Sequence, residues 1–221
     1  MRRVLVLRPE PGATATVEKA RGAGLEAVAI PLFTIEPAQW EAPDAGSFDG
    51  VLLTSANAVT FGGEALHSLR GLKVYAIGEA TAHAAREAGF DIAASGDAGV
   101  DRLLGSIEPD LELLHLCGAD RRDPTRAKQQ ITRVTVYRAI PVDAPDLSEA
   151  ARSVALIHSP RAGARFAELI HDRTSISVVA ISEAAADAVG DGWRTVETAA
   201  QPSDDALLAL AASLCKKPDP E

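Results

Sequence analysis

The chain has 221 residues and a mass of 23.1 kDa, with 22 basic and 31 acidic side chains, a net charge of −9 and a pI near 5.1. Apolar residues at 47% and charged residues at 24% are ordinary for a globular protein and exclude a disordered or collagen-like chain. The acidic balance also argues against broad nucleic-acid binding, which needs a basic face.

Residues 4–7 form a short apolar run closed by Arg8 and Pro9, which predicts a buried strand. The run is too short for a signal-peptide core, and no apolar stretch reaches the roughly 18 residues that span a bilayer. A soluble, cytoplasmic protein without nucleic-acid or membrane partners is expected. Two cysteines, Cys117 and Cys215, do not make a disulfide framework.

Residues 13–23 carry helix formers up to Gly24, a C-cap signal, and 27–30 is a second apolar run. Residues 31–37 partly alternate between two prolines, as an exposed ribbon does. From Asp49 the chain alternates strand and helix patterns: strands at 51–53, 74–77, 90–93 and 113–116, with helices at 55–69, 79–87 and 100–107. Short apolar runs alternating with helical segments predict βα units and a parallel sheet. A polar, basic stretch covers 119–133, and 134–140 alternates like a half-exposed strand. The rhythm then resumes with strands at 154–157, 178–181 and 195–197 and helices from Pro160, from Glu183 and over 204–214. The tail 216–221 is expected to fray.

A shift of 104 residues lays 49–104 on 153–208 without gaps. Fifteen of the 56 positions are then identical, among them Ser55/Ser159, Ile77/Ile181, Glu79/Glu183 and Leu104/Leu208. Five of the pairs are Ala/Ala, so the count alone is weak, but the same order of elements recurs on both sides. The expected fold is α/β: two similar Rossmann- or flavodoxin-like parallel-sheet lobes joined by a two-stranded antiparallel linker. One lobe is discontinuous, 1–33 plus 141–221; the other is 38–133; 31–37 and 134–140 are the bridging strands. A cleft between the lobes is the natural ligand site.

In each half a strand runs through a hydroxyl residue into a helix, at Thr54-Ser55-Ala56-Asn57 and at Ser159-Pro160-Arg161. A second turn type is Ile77-Gly78-Glu79-Ala80-Thr81, echoed by Ile181-Ser182-Glu183-Ala184-Ala185. Each is explained by helix capping alone. Each is also a helix start whose backbone N–H groups favour carboxylates or phosphates, at strand ends that face the ligand crevice. No Gly-x-Gly-x-x-Gly and no P-loop are present, and the five histidines have no metal-ligand spacing. Arg121, Arg122, Arg126, Lys128, Arg133 and Arg138 give 119–138 a local net charge of 6 − 2 = +4, read either as a solvated face or as an attractor for a polyanion. Tyr137, on the second bridging segment, suits a strand, and its phenol of reference pKa about 10 is also a proton donor at neutral pH.

The chain resembles the uroporphyrinogen-III synthase family across essentially its whole length. The resemblance rests on the segments at 4–9, 53–58, 76–82, 115–118, 134–138 and 157–162, on their order, and on the duplication. It implies a cyclising hydro-lyase that converts hydroxymethylbilane, a linear tetrapyrrole with eight carboxylates, to uroporphyrinogen III by loss of water and inversion of the terminal ring. It implies no cofactor, no metal, a monomer, and hydroxymethylbilane synthase as a transient contact. Tyr137 matches the family's bridge tyrosine and Thr81 a hydroxyl of the Gly-x-x-Thr turn, so these two are the expected catalytic residues. Thr54, Ser55, Asn57, Gly78, Gly118, Ser159, Arg161, Ser182 and Arg8 are the expected substrate-binding residues, with a structural role the alternative for Arg8. The second-half turn departs from the family's usual Gly-x-Thr-Thr at Ala184 and Ala185. The competing reading, from another class, is a non-catalytic two-lobed protein that clamps an anion or a tetrapyrrole.

Overall fold

The computed structural model describes residues 2–97, 99–120 and 124–216. Strands and helices follow one another as β1 (Val4–Val6), α1 (Gly12–Gly22), β2 (Ala27–Ala29), β3 (Phe33–Pro37), β4 (Gly50–Leu53), α2 (Asn57–Thr60), β5 (Lys73–Ile77), α3 (Glu79–Glu87), β6 (Ile92–Gly96), α4 (Val100–Gly105) and β7 (Glu112–Gly118). The remainder is β8 (Gln130–Pro141), β9 (Val154–Ile157), α5 (Pro160–Leu169), β10 (Ser177–Ala180), α6 (Glu183–Val189), β11 (Thr195–Thr198) and α7 (Asp204–Lys216). The chain separates into two compact units, one made of residues up to Thr34 and from Pro141 onward, the other of Ile35–Ile140.

The first unit is built on a five-stranded sheet ordered β11-β10-β9-β1-β2, parallel throughout. Every residue of β1, β9 and β10 is buried, as expected of central parallel strands covered on both faces. On one face Val4, Val6, Leu156 and Val179 pack against Ala13, Val17 and Ala20 of α1 and Leu207, Ala211 and Leu214 of α7. Phe166 of α5, fully buried, stacks on Trp193 with centroids 5.1 Å apart and planes 11° from parallel. Gly163 lets α5 and α6 approach: a Cβ there would lie 2.9 Å from the Ala185 carbonyl oxygen.

The second unit is built on a six-stranded sheet ordered β3-β8-β7-β4-β5-β6, parallel from β8 to β6. Val51, Leu53, Val74, Leu114 and Leu116 pack on one face with Leu66, Leu69, Ala82 and Ala85. Leu52 and Leu113 pack on the other face with Leu103 and Leu104 of α4. The edge strand β3 runs opposite to β8, since Val142 N–H donates to the Leu32 carbonyl (2.9 Å) and Ala38 N–H to Val136 (3.0 Å), one index falling as the other rises.

The 104-residue offset carries β4 (Gly50–Leu53) onto β9 (Val154–Ile157), and it carries the first residues of α3 and α4 onto those of α6 and α7. Under it the orders β6-β5-β4 and β11-β10-β9 correspond, and each sheet continues through a strand supplied from another part of the chain, β7 or β1.

The structure differs from the sequence reading in three respects. The helix expected over 55–69 is one turn of α-helix, α2, followed by a 3-10 segment at Glu64–Leu69. The pair Gly62-Gly63 separates them, with Gly63 at φ +66°, a conformation that ends a right-handed helix. The strand expected over 134–140 begins at Gln130, so part of the basic stretch is sheet. That strand is also not set apart from 38–133: β8 pairs with β7 from Glu112↔Gln130 to Gly118↔Tyr137, and within the second unit it is an inner strand. Of the basic residues singled out, Arg121 and Arg122, with the neighbouring Asp123, lie outside the described residues, as does most of the expected frayed tail. Among the described residues no helix is long and apolar enough to cross a membrane, and no group of three or more His, Cys, Asp or Glu is placed to hold a metal ion.

Candidate functional site

Open parallel sheets present ligands at the carboxyl ends of their strands. In the second unit the ends of β4, β5 and β7, with Tyr137 from within β8, bring Thr54, Ser55, Ile77, Gly118 and Tyr137 around a pocket of about 310 Å³. Val100, the first residue of α4, and Asp120 complete its lining.

Tyr137 is half-buried, and Gly118 sets its place. A Cβ on Gly118 would lie 2.6 Å from Tyr137 Cε2, 2.7 Å from Cζ and 3.0 Å from the hydroxyl oxygen. The register shift between Cys117 and Gly118 pairs Gly118 with Tyr137 itself, so the ring lies over bare backbone. Burial pushes the phenol above its ordinary pKa; hydrogen bonds with the Ser55 side chain and the Gly118 backbone pull the other way and do not cancel it. The phenol is therefore protonated throughout the neutral range.

Ser55 Oγ accepts from Asn57 N–H at 3.2 Å, which shapes the turn from β4 into α2. Thr54 Oγ1 lies 3.1 Å from Nε2 of His115, a fully buried side chain on β7. Gly78 caps α3 at φ +82°, where no side chain is strain-free, and nothing stands within 4 Å of where a Cβ would project. Thr81, in the first turn of α3, is 4% exposed and does not line the pocket.

The structure thus brings Thr54, Ser55, Gly118 and Tyr137 to one pocket, with Asn57 and Gly78 on the neighbouring turns. The remaining expected residues belong to the first unit. Ser159 Oγ caps α5 by accepting from Ala162 N–H at 3.2 Å, with Pro160 at the first helical position. Ser182 Oγ caps α6, accepting from Ala185 N–H at 3.3 Å. The Arg161 guanidinium lies 4.5 Å over the Phe33 ring. Arg8 has a partner inside the protein: its Nη1 donates to both Asp204 oxygens, at 3.0 and 3.2 Å.

Asp204 is the centre of a small network at the carboxyl ends of β1 and β9. It accepts from Arg8, from Thr16 Oγ1 at 2.8 Å, and from His158 Nε2 at 3.1 Å. The His158 side chain is 7% exposed and its Nδ1 is buried with no partner, so the ring proton belongs on Nε2, which donates to the Asp204 carboxylate. Burial opposes ionisation of Asp204, but the bonds from His158 and Thr16 and the charge of Arg8 overcome it and hold the carboxyl well below the usual range. The repeat makes this instructive: His158 is the counterpart of Thr54, and Asp204 of Val100. Where one unit has an open pocket, the other has an internal ion cluster.

Sequence reasoning missed His115, Val100, Asp120 and the Asp204 network. The alternation of β7 places Leu113, His115 and Cys117 on one side, which marks His115 as facing the Leu52–Thr54 side of β4. Nothing in the sequence links Arg8 to a residue 196 positions later. A larger hollow, about 480 Å³, is lined by Arg3, Arg21, Glu26 and Glu149 at the amino ends of β1 and β2. Arg3 pairs with Glu149, the charges of Arg21 and Glu26 balance, and the hollow lies at the strand ends opposite those that carry ligands.

Parallel sheets with helices on both faces and a hydroxyl-lined pocket at the strand ends define a mixed α/β protein of the open-sheet class. The chain matches the family model described as Uroporphyrinogen-III synthase HemD over residues 14–209, and it belongs to that family. A curated relative, the uroporphyrinogen-III synthase of Chlorobaculum parvum (strain DSM 263 / NCIMB 8327), is 33% identical over 101 residues, 42% of this chain and 41% of that relative's length. The fold is that of the uroporphyrinogen-III synthetase of Helicobacter pylori 26695, with a TM-score of 0.68 at 19% identity over 97% of this chain and 100% of that one. A mutant uroporphyrinogen III synthase from the extremely thermophilic bacterium Thermus thermophilus aligns with a TM-score of 0.51 at 17% identity over 98% and 100% of the two chains.

Proposed function

We propose that this protein is a hydro-lyase that closes hydroxymethylbilane to uroporphyrinogen III, losing water and inverting the terminal ring, with the pocket around Tyr137 as the place where the hydroxyl leaves. The observation that carries the reading is the half-buried phenol of Tyr137 beside Ser55 in the pocket, on the floor made by Gly118. The family membership supports it.

Departure of hydroxide from a hydroxymethylpyrrole needs a proton. Tyr137 supplies one to the leaving oxygen, which departs as water, and the azafulvene that remains is electrophilic without further help. Attack from the substituted carbon of the last ring gives a spiro intermediate. Fragmentation and reclosure at the free α-carbon release a proton from that carbon, which restores the phenol. The chemistry asks little more of the protein than position. A pocket of about 310 Å³ takes one terminal ring rather than the whole bilane. The Thr54 hydroxyl and the backbone N–H groups that open α3 after Gly78 supply donors for its carboxylates, while Ser55 lines the pocket and gives its one proton to the phenol oxygen of Tyr137. Asn57, Thr81, Ser159, Arg161 and Ser182 remain proposed contributors to substrate binding or catalysis. Arg8 is assigned to the Asp204 network. The two units are proposed to be the two lobes the resemblance implies.

The test supplies hydroxymethylbilane made in place from porphobilinogen by its deaminase, oxidises the products and separates the porphyrin isomers. Predominantly isomer III above a no-protein control is expected. Isomer I alone, from folded protein, refutes the reading and favours a non-catalytic binding protein.

A further inference from the structure

We propose that His115 is a positioning residue: held as its Nε2–H tautomer, it donates to the Thr54 hydroxyl and so leaves that hydroxyl's own proton for an acceptor group of the ligand. The ligand group is a carboxylate on the reading above, on which this inference rests.

His115 stands on β7 in register with Leu52 of β4 and is fully buried. Its Nε2 is 3.1 Å from Thr54 Oγ1, and Thr54 lines the pocket with Ser55 and Tyr137. An imidazole in the middle of Leu-Leu-His-Leu-Cys is costly to bury, and a leucine or valine would pack there at less cost. The other sheet shows this directly. Val6 pairs with Leu156 as His115 pairs with Leu52, and Val6 is equally buried. A strand in this place therefore folds with an aliphatic residue. The polar pair belongs to the half that has the pocket.

A hydroxyl has one proton and two lone pairs, so the tautomer decides what Thr54 offers. With Nε2 bare, Thr54 donates to the imidazole and presents only lone pairs to the pocket, which repel a carboxylate. With Nε2 protonated, Thr54 accepts from His115 and its proton points to the ligand. The second arrangement also polarises the hydroxyl, strengthening its bond to an anion. His115 never touches the substrate; it acts through one oxygen atom.

Two measurements test this. The first is a long-range proton–nitrogen correlation on protein labelled with nitrogen-15 histidine, which identifies the protonated ring nitrogen. Nε2–H for His115 is expected in wild type, with its signals shifted in Thr54→Val; an Nδ1–H ring overturns the proposal. The second is turnover of hydroxymethylbilane by His115→Leu, His115→Gln, Thr54→Val and the Leu/Val double variant. The glutamine amide still donates, so H115Q is expected to stay within a few-fold of wild type. H115L is expected to raise KM about tenfold, the worth of one hydrogen bond to a charged group, with a smaller change in kcat. The double variant is expected to be no worse than T54V. Additive losses, or no rescue by glutamine, mean that His115 only fills space. If H115L does not fold, H115Q and the tautomer still decide. If wild type forms no isomer III, the functional reading fails, while the tautomer, read without turnover, still supports or overturns the positioning role.

Discussion

The ring of Tyr137 lies on the backbone of Gly118, so closely that a methyl group at residue 118 would come within 2.6 Å of Cε2. Both residues sit in β-strands, and the offending atoms belong to a ring wedged between β7 and its own strand, so relief requires the phenol to move. Gly118→Ala is expected to displace Tyr137, lower turnover by at least about tenfold, and cost about 1–3 kcal/mol of stability. Product formation and a denaturant midpoint on the same preparation check both effects. An alanine variant with wild-type turnover would show that the ring's place is not what Gly118 secures.

Tyr137→Phe removes the proton donor and keeps the ring. Turnover is expected to fall about 10²–10⁴-fold, the usual worth of a positioned general acid, with KM little changed. Because burial raises the phenol's pKa, its loss of the proton falls above pH 10, and the neutral-to-mildly-alkaline rate profile of wild type should show no decline from this group. A single-turnover assay of wild type and variant from pH 7 to 10 measures both.

The Asp204 network predicts a pH dependence of stability. The carboxyl's pKa in the folded state is depressed, so the folded state binds fewer protons than the unfolded chain near the unfolded pKa of about 3.9. Its contribution is full above that pH and is lost as pH falls through the folded value. Asp204→Ala is expected to cost about 1–3 kcal/mol near neutrality, the figure for leaving buried donors unmatched, and the gap to wild type should narrow below about pH 4. Urea midpoints of both proteins across pH 3–7 test the sign. A gap that widens in acid would contradict it.

Gly163 is a packing prediction outside the pocket. Its missing side chain admits the Ala185 carbonyl and Val189, so Gly163→Val is expected to force α5 and α6 apart and lower the melting temperature by several degrees. Isomer III formation by the surviving folded fraction should persist. Calorimetry with the isomer assay separates the two.

Much of the sheet was legible because parallel strands buried on both faces are continuous apolar runs, and β4, β9 and β10 read that way. The repeat placed helix starts at matching positions. Boundaries governed by tertiary pairing were not legible: Gln130 joins β8 because β7 extends to meet it, although Lys128, Gln129, Thr132 and Arg133 around it are polar. The pocket was half legible. Thr54, Ser55, Gly118 and Tyr137 stand at turns or in motifs that the residues mark. His115 acts from beneath the surface and Arg8 is held by a residue near the far end of the chain, and neither relation leaves a local signal. Arg8 looked like an anion site because it closes a strand. The anion it holds is Asp204.

The position of β1 between β9 and β2 has a consequence for biosynthesis. Residues 35–140 contain all the strands of their own sheet from β4 to β8 and can close as soon as they leave the ribosome. β1 and α1 are made first, and at that stage β1 has only β2 to pair with, since β9 and the helix whose Asp204 ties down Arg8 are made after residue 150. At roughly 5–20 residues per second, the early segment stays without β9 and α7 for on the order of ten seconds. The inserted half is thus the earlier folder, and the half that surrounds it is completed last, by α7.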